Sequence, residues 1–557
     1  MIKYGNKKRI YNLFILFVII FGILIYRIFK FQFFDAKKLS VMAESQYTYM
    51  ESTRENKWLL LDSKGRDLLK YKDKYYAVIV PDSFKENQQD KNEEKILSII
   101  YTLRNYNKDY DITKMQSLDK SGKIYYEIDK NTYEKLEKMK DIKGFYVYKK
   151  KVVDKGNTEK KEYWKLENML LNPYKNDGKT LKDKNTLEMN IYDKVKNNEN
   201  PKIIYKKDLS GKIISAEMKN TKNNINPKLT LDYDIQEKIK KVLLKDEYKS
   251  FDQIGVILME SNTGKIKSMI QKDETLPNIN IAAATKNGFP PGSIFKVLVE
   301  EAGIEKDIIS TNDKFTCTSE FEKNHKSNHG TLSVRDAFIV SCNHIFSQIG
   351  MKVGFENINS MIKKHGLYDK VLNLQQEQKG NLELKGNKQP NISDGTLPLL
   401  SFGQLIRITP IESIAMVNTV VNDGIYVKPY ILEGYVNDNN EVIEKLNTEE
   451  ERIITRNTAN IMKNQMLDVV KHGTAKGTYD NNMEIGGKTG TNQRSEVNRD
   501  NKLQNYSDGW FIGFFNSRGV YYSMVVFVPN INAKEQSAGS TAVPIFYDIV
   551  KNIKDSI

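Results

Sequence analysis

The chain has few of the residues from which polar active sites are usually built: its 557 residues include two cysteines, five histidines and three tryptophans. Two cysteines allow at most one disulfide, which excludes a disulfide scaffold and leaves stability to a packed core. His472 is the only histidine beyond residue 365, and no G-x-S-x-G elbow occurs, so nothing supports a Ser-His-Asp hydrolase. There is no internal repeat. No basic stripe is interleaved with aromatics, which argues against a nucleic-acid partner. The formal net charge of +15 could suit anionic lipids or acidic wall polymers, but Lys is spread along the whole chain with Asn and Ile, as a compositional bias would spread it.

One long uncharged apolar run stands out. Residues Ile10 to Tyr26 carry no charge and are dominated by Leu, Ile, Phe and Val, and the apolar character continues to Phe34. Arg27 and Lys30 within it are able to snorkel, so residues 10–34 read as a single membrane anchor. Lys3, Lys7, Lys8 and Arg9 precede it. The positive-inside rule then keeps residues 1–9 as a cytoplasmic tail and places the chain after Phe34 outside the membrane. No small-x-small cleavage pattern comes after the run, which favours an uncleaved anchor over a signal peptide.

From residue 36 to residue 226 the sequence is rich in Lys, Asp and Asn, with short alternating strands such as Tyr75 to Val80. Polar stretches at Asp154–Lys161 and Asn172–Lys184 read as loops or insertions. With no compact cluster of reactive residues, this half reads as a spacer or docking domain. At Asn226-Pro227 the character changes. Leu229 to Asp232 is strand-like, Tyr233 to Leu244 helical, and Gly255 to Met259 a buried strand. Helices fill the middle. Strands return at Met483–Asn492, Gly509–Asn516 and Val520–Val528, so residues 227–557 form an α+β domain with helices against an antiparallel sheet.

Within that domain, Pro290-Pro291-Gly292-Ser293-Ile294-Phe295-Lys296 is the most informative stretch. Pro and Gly end the preceding element, and the apolar run after them reads as a buried helix with Ser293 at its start. Lys296 lies one turn later, on the same face. Burial and the positive end of the helix dipole both push a lysine toward its neutral form, and a neutral amine can activate a weak serine nucleophile without histidine. Alone, the spacing also fits an N-cap serine beside a solvated lysine.

Two further clusters share the domain. Ser341-Cys342-Asn343 comes after an apolar helix, Val334 to Val340, and offers a hydroxyl and an amide that could relay protons and orient a peptide. Lys488-Thr489-Gly490-Thr491 lies on a strand. There Lys488 could bind a carboxylate, Thr489 could hydrogen-bond it, and Gly490 could let substrate backbone lie close. Decoys exist for each spelling: Ser117 to Lys120, Ser310-Thr311-Asn312 and Lys120-Ser121-Gly122. Order and setting separate the two sets. The chosen motifs succeed one another 48 and then 147 residues apart, each beside a regular element with apolar flanks.

These three motifs together resemble the penicillin-binding proteins that act as peptidoglycan D,D-transpeptidases. The likeness extends to Leu229–Asp232 with Gln236, the Thr263-Gly264 turn, Ser401 to Gln404 with Thr409-Pro410, Gly473-Thr474-Ala475 and Trp510 to Gly513, in family order from about Pro227 to Ile557. Residues Trp58 to Leu69 are loosely similar to the start of the pedestal in the monofunctional class B branch. The resemblance implies a penicillin-binding/β-lactamase-like transpeptidase domain preceded by a membrane helix and an elongated pedestal. Ser293 would be the nucleophile and Lys296 its base. Ser341 would pass a proton to the leaving group and Asn343 would fix Lys296 and substrate. Lys488 would hold the terminal carboxylate with Thr489 and Thr491, and the NH groups of Ser293 and Thr491 would form the oxyanion hole. The implied partners are peptidoglycan stem peptides, β-lactams, the membrane and a polytopic SEDS-type glycosyltransferase. No cofactor is needed for this chemistry. The rival within the fold is a class A β-lactamase, whose water-positioning glutamate Glu377 in Glu377-Gln378-Lys379-Gly380-Asn381 would supply. From a different class come a β-lactam sensor and a structural division scaffold; the single span disfavours the first and the intact motifs the second.

Cys317, His325, His329, Cys342 and His344 fall within 28 residues. The order Cys-x7-His-x3-His-x12-Cys suits a tetrahedral structural zinc on Cys317, His325, His329 and Cys342. A Cys317–Cys342 disulfide and two unbonded thiols are the alternatives.

Overall fold

A computed structural model of the chain describes residues 5–34, 47–85, 87, 93–110, 122–139, 141–154, 164–208, 211–318, 328–384, 388–478, 480, 482–497, 503–532 and 534–557. Its backbone divides into two units. The smaller comprises Met1–Lys57, Tyr71–Asp154 and Glu199–Lys222, and the larger comprises Trp58–Lys70, Lys155–Asn198 and Asn223–Ile557.

The smaller unit carries the helix Gly5–Phe29, extended by a π turn to Phe34. Over Arg9–Phe34 it is long and apolar enough to cross a membrane, and none of it is buried by protein, as expected of a single-pass anchor. The strand Tyr71–Ile79 lies between Ile124–Ile128 and Phe145–Val153, antiparallel to both. Ala77 and Ile79 meet Ile99, Leu103, Leu136 and Phe145 in a core. A second sheet pairs Thr48–Ser52, Lys202–Lys207 and Ile213–Lys219. Beneath it Tyr146 stacks on Tyr49 at 5.2 Å, and buried Glu51 accepts from Lys123 Nζ at 2.6 Å and Tyr146 OH at 2.7 Å.

The larger unit is built on a five-stranded antiparallel sheet. Its strands are β1 (Gly255–Glu260), β2 (Lys265–Gln271), β3 (Ile485–Val497), β4 (Leu503–Ser517) and β5 (Val520–Ile531), in the spatial order β3-β4-β5-β1-β2. β3 and β4 are longer than the sequence suggested, because their pairing continues to Val497↔Leu503. The helices that matter to the site are α1 (Lys296–Glu305), α2 (Val334–Val340), α3 (Asn343–Val353), α4 (Phe355–Lys364), α5 (Pro410–Val421), α6 (Arg456–Lys471) and α7 (Ala542–Ile553). The α7 face of the sheet presents Phe511, edge-on to Phe546 at 4.8 Å. On the opposite face Gly486 lies against the backbone of Leu467 in α6, where a Cβ would approach within 3.1 Å. Alternate β3 residues therefore face different layers, and Lys488 shares the α6 face with Gly486.

The domain boundary at residue 226/227 needs correction. Trp58–Lys70 and Lys155–Asn198, read as parts of the pedestal, belong to the larger unit. Backbone pairing holds them there: Leu61 N donates to Pro227 O at 3.0 Å, Leu229 N to Leu61 O at 2.8 Å, and Leu187 N to Asn373 O at 3.0 Å. The loop Asn172–Lys184 is also pinned, through Lys182, which is 2% exposed and bonds Glu188 at 3.0 Å.

Candidate active site

The nucleophile candidate sits where the chain makes its closest approaches. Gly292–Phe295 form a 3-10 turn that runs directly into α1, so Ser293, expected at the helix start, lies in the turn just before it. Ile294, Phe295, Val297 and Leu298 are fully buried and fix the turn. Three glycines let it sit against its neighbours. Gly292 has φ +55, and a Cβ there would lie 3.1 Å from Thr491 O; on Gly403, φ +80, a Cβ would lie 2.2 Å from Gly292 O. A Cβ on Gly490 would lie 2.7 Å from Pro291 O and 2.9 Å from Ile294 Cγ2. The space at Gly490, expected to accommodate substrate backbone, is thus filled by the protein's own nucleophile loop. Gly403 was recognisable only as a landmark, because its role depends on contact with a loop more than a hundred residues away.

The other two motifs meet at one hydroxyl. Lys296 Nζ lies 2.6 Å from Ser341 O, 2.7 Å from Asn343 Oδ1 and 3.2 Å from Ser341 Oγ. Lys488 Nζ donates to Ser341 Oγ at 2.8 Å and to Thr489 O at 3.3 Å. Both lysines are fully buried, over Phe346 and Phe338 respectively. Ser341 ends α2 in the left-handed region, φ +61, a conformation that a serine adopts only when its surroundings enforce it. That bend aims both its carbonyl and its hydroxyl at lysines. As a free amine, Lys296 has two N–H bonds for the two shorter contacts and a lone pair left for a hydroxyl proton. Burial lowers the Lys488 pKa from 10.5 to about 7, opposed by the charge of Glu300.

The strand carrying Lys488 is an edge strand, so its outer backbone groups are available to an extended peptide. Thr489 shares a 2.5 Å hydrogen bond with Thr474, from the Gly473-Thr474-Ala475 landmark. Thr491 is exposed and accepts from Ala538 N at 3.0 Å. Thr491 thereby lies beside Gly292, and the two proposed oxyanion donors, the NH groups of Ser293 and Thr491, come from adjoining segments.

Three of the four suggested metal ligands converge. A hairpin pairs Lys314–Cys317 with Gly330–Ser333 and sets Cys317 opposite Gly330, next to His329. Donor atoms of Cys317, His329 and Cys342 all lie within 4.8 Å of one another. His329 Nδ1 is buried with no hydrogen-bond partner among the described residues. No disulfide joins the two cysteines, and burial pushes the Cys342 thiol up to about 11. His325 lies outside the described residues. His344 is turned to other use: its Nδ1 accepts from Thr318 N at 2.8 Å.

The rivals lose their residues. Glu377 is 1% exposed and its carboxylate accepts from the backbone NH groups of Val371 at 2.8 Å and of Leu372 and Leu374 at 3.0 Å. It closes a loop and has no oxygen to spare for a hydrolytic water. Ser310 is exposed and bonds Asp313, and Ser117 to Ser121 lie outside the described residues. One buried group went unnoticed in the sequence: Glu300, one turn beyond Lys296 on α1 and bonded to Gln465 of α6. Its signal was a glutamate pair, Glu300-Glu301, directly after the apolar run Val297-Leu298-Val299.

Comparison with known proteins gives the same picture. The family profile described as penicillin binding protein transpeptidase domain matches residues 254–551. The stage V sporulation protein D of Bacillus subtilis is 27% identical over 280 residues, covering 47% of this chain and 42% of that protein. The peptidoglycan D,D-transpeptidase PbpA of Mycobacterium tuberculosis is 24% identical over 328 residues, covering 52% of this chain and 65% of that one. The chain thus spans about half the length of the curated relatives it matches. Among solved structures, a peptidoglycan synthetase from Bifidobacterium adolescentis shares the fold with TM-score 0.61 and 18% identity, over 91% of this chain and 96% of that one. Penicillin binding protein 3 from Mycobacterium tuberculosis, complexed with aztreonam, does so with TM-score 0.55 and 19% identity, over 73% of this chain and 90% of that one.

Proposed function

The chain belongs to the penicillin-binding protein transpeptidase family, on its class B branch, and we propose that it is a serine D,D-transpeptidase that cross-links peptidoglycan stem peptides through an acyl-enzyme on Ser293. The observation that carries this reading is the convergence of Lys296 and Lys488 on Ser341 Oγ, with Asn343 Oδ1 accepting from Lys296 and Lys296 one helical turn from Ser293. Ser293 Oγ attacks the carbonyl between the two terminal D-alanines and gives its proton to Lys296. The NH groups of Ser293 and Thr491 receive the oxyanion. The C–N bond breaks, the proton passes through Ser341 to the departing amine, and an ester remains on Ser293. An amine of a neighbouring stem peptide attacks that ester, forming the cross-link and returning the proton to Ser293. Asn343 orients Lys296 and the substrate amide. Lys488, with Thr489 and Thr491, holds the terminal carboxylate. β-Lactams acylate the same serine. The charges at residues 3–9 orient the anchor with the catalytic unit outside the membrane, where a SEDS-type glycosyltransferase supplies nascent strands. Fluorescent penicillin tests the assignment: it labels the full-length protein, and Ser293→Ala abolishes labelling. If that variant labels like wild type, the reading fails.

We also propose that Cys317, His329 and Cys342 hold a structural zinc, with His325 as the fourth ligand. Two thiols and an imidazole with donor atoms within 4.8 Å of one another, the imidazole's Nδ1 buried and unpartnered among the described residues, support a tetrahedral S/N site. Zinc there would tie the hairpin to the residue next to Ser341. Metal analysis of purified protein beside Cys342→Ser decides it; wild-type protein without zinc sinks the proposal.

A further inference from the structure

We infer that the turn at residues 537–541, between β5 and α7, braces the carboxylate clamp: Ala538 is a positioning residue whose NH holds the Thr491 hydroxyl so that its proton is offered to the substrate carboxylate. This deepens the transpeptidase reading and rests on it. Thr489 and Thr491 are two residues apart on β3, so their side chains share one face of the sheet, the α7 face. The turn lies against the support of both. Ala538 N donates to Thr491 Oγ1 at 3.0 Å. A Cβ on Gly539 would lie 2.9 Å from Thr474 O, and Thr474 shares its 2.5 Å hydroxyl bond with Thr489. Thr541 completes the contact: a Cβ on Gly509, the residue opposite Thr491 on β4, would lie 2.6 Å from Thr541 Oγ1.

The turn closes on itself without help from Thr491. Ser537 O accepts from Ser540 N and Ser540 Oγ, each at 3.1 Å, and from Thr541 Oγ1 at 2.8 Å, while Ser537 N donates to Ser540 Oγ at 2.9 Å. Ala538 is 0% exposed, so its NH needs an acceptor within the protein. The one it has is Thr491 Oγ1. A hydroxyl has one proton to donate and two lone pairs to accept with. One lone pair of Thr491 is taken by Ala538, and its proton has no acceptor among the described residues, so the O–H is left for the open cleft to which Thr491 is exposed. Thr474 and Thr489 hold two protons between two oxygens: one makes their bond and the other remains to be given. Two hydroxyl donors beside Lys488 suit an anion with two oxygens, and a neutral carbonyl in the same place gains less from them.

Proline at position 538 tests the bond. Ala538 is the first residue of a 3-10 turn and Ser537 before it is extended, φ −135 and ψ 172, so both positions accept a proline that replaces the NH by a carbon donating nothing. The probes are benzylpenicillin and its methyl ester, which differ only in the anion that the clamp would grip, with acylation of the full-length protein followed by mass spectrometry. In Ala538→Pro the benzylpenicillin rate is expected to fall about tenfold relative to the ester rate, the scale of one hydrogen bond to a charged group. Thr491→Val gives the same relative loss, and the double variant loses no more than either single one, because Ala538 acts through Thr491. A general loosening of the site slows both probes alike. An unchanged ratio in a folded Ala538→Pro protein, or losses that add in the double variant, overturns the inference. If Ala538→Pro does not fold, Gly539→Ala, which presses the turn on Thr474 O, takes its place, and an unchanged ratio there overturns it instead. Ser293→Ala separates the two claims: acylation like wild type in that variant rejects the transpeptidase reading itself, whatever the ratio does.

Discussion

Lys182 and Lys488 are both buried lysines of the larger unit, yet one is met by a carboxylate at hydrogen-bond distance and the other by a hydroxyl. Lys182 Nζ bonds Glu188 Oε1 and Met169 O, each at 3.0 Å. Lys488 bonds Ser341 Oγ and a carbonyl, and Lys296 bonds a carbonyl, an amide and the same hydroxyl. Burial lowers the pKa of Lys182 too, with Glu188 opposing it. Desolvation is common to both places and does not by itself mark a reactive site. The difference lies in the partner: a carboxylate at hydrogen-bond distance opposes the loss of the proton from Lys182, whereas the neutral acceptors around Lys488 do so less.

Substitution breaks the two settings in opposite ways. Lys296→Ala is expected to slow penicillin acylation by about a thousandfold or more while the protein stays folded, since the hydrogen bonds that Lys296 gives to Ser341 and Asn343 end on neutral oxygens. Lys182→Ala strands Glu188 and is expected to cost about 3 kcal/mol of stability, with the folded fraction acylating normally. Melting curves and labelling rates read both. If Lys182→Ala stopped acylation without lowering the melting temperature, the distinction between the two settings would be lost.

Gly490→Ala probes the site from its backbone side. Its Cβ would press on Pro291 O and Ile294, displacing the turn that carries Ser293. Acylation is expected to fall about a hundredfold, the scale of an ångström-sized misplacement, with Lys182 and Glu188 untouched.

Much of this site was legible in the amino-acid order, for a physical reason. Ser293 and Lys296, or Ser341 and Asn343, act through short spacings that a helix or a tight turn converts into proximity, and the order of the motifs carried a family resemblance. The Val334–Val340 helix was likewise visible in its apolar run. Contacts between distant segments were not. Gly403 against Gly292, and Glu300 bonded to Gln465, leave no periodic mark. Neither does the backbone pairing of Leu61 with Leu229, which needs no particular side chain, so the domain boundary was drawn too simply. The convergence of Cys317, His329 and Cys342 was suggested by their clustering and spacing, and the hairpin explains it.

Glu377 offers a buried charge of the structural kind, like Glu188. Glu377→Gln is expected to destabilise the protein by about 2 kcal/mol, because its backbone NH partners lose a charged acceptor, and to leave nitrocefin turnover unchanged. A large loss of nitrocefin hydrolysis in a variant that melts like wild type would instead move Glu377 into the chemistry.

The smallest expected effect is the most direct measure of the Lys488 proton. The folded value near 7 lies below the unfolded 10.5, so between those limits the unfolded chain holds a proton that the folded one has released. Stability contributed by this group therefore rises with pH across that window. Glu300, raised from 4.5 to about 8, works the other way up to about pH 8, where its folded proton is lost. The net rise should appear between about pH 8 and pH 10, at no more than about 1.4 kcal/mol per pH unit. Lys488→Met removes it, while the exposed lysines and tyrosines titrate alike in both proteins and cancel in the difference. Melting of wild type and variant side by side at the two ends of that window gives the slope. A flat difference would mean that the folded Lys488 holds its proton as the unfolded chain does, and the hydroxyl at Ser341 would then face a fixed charge.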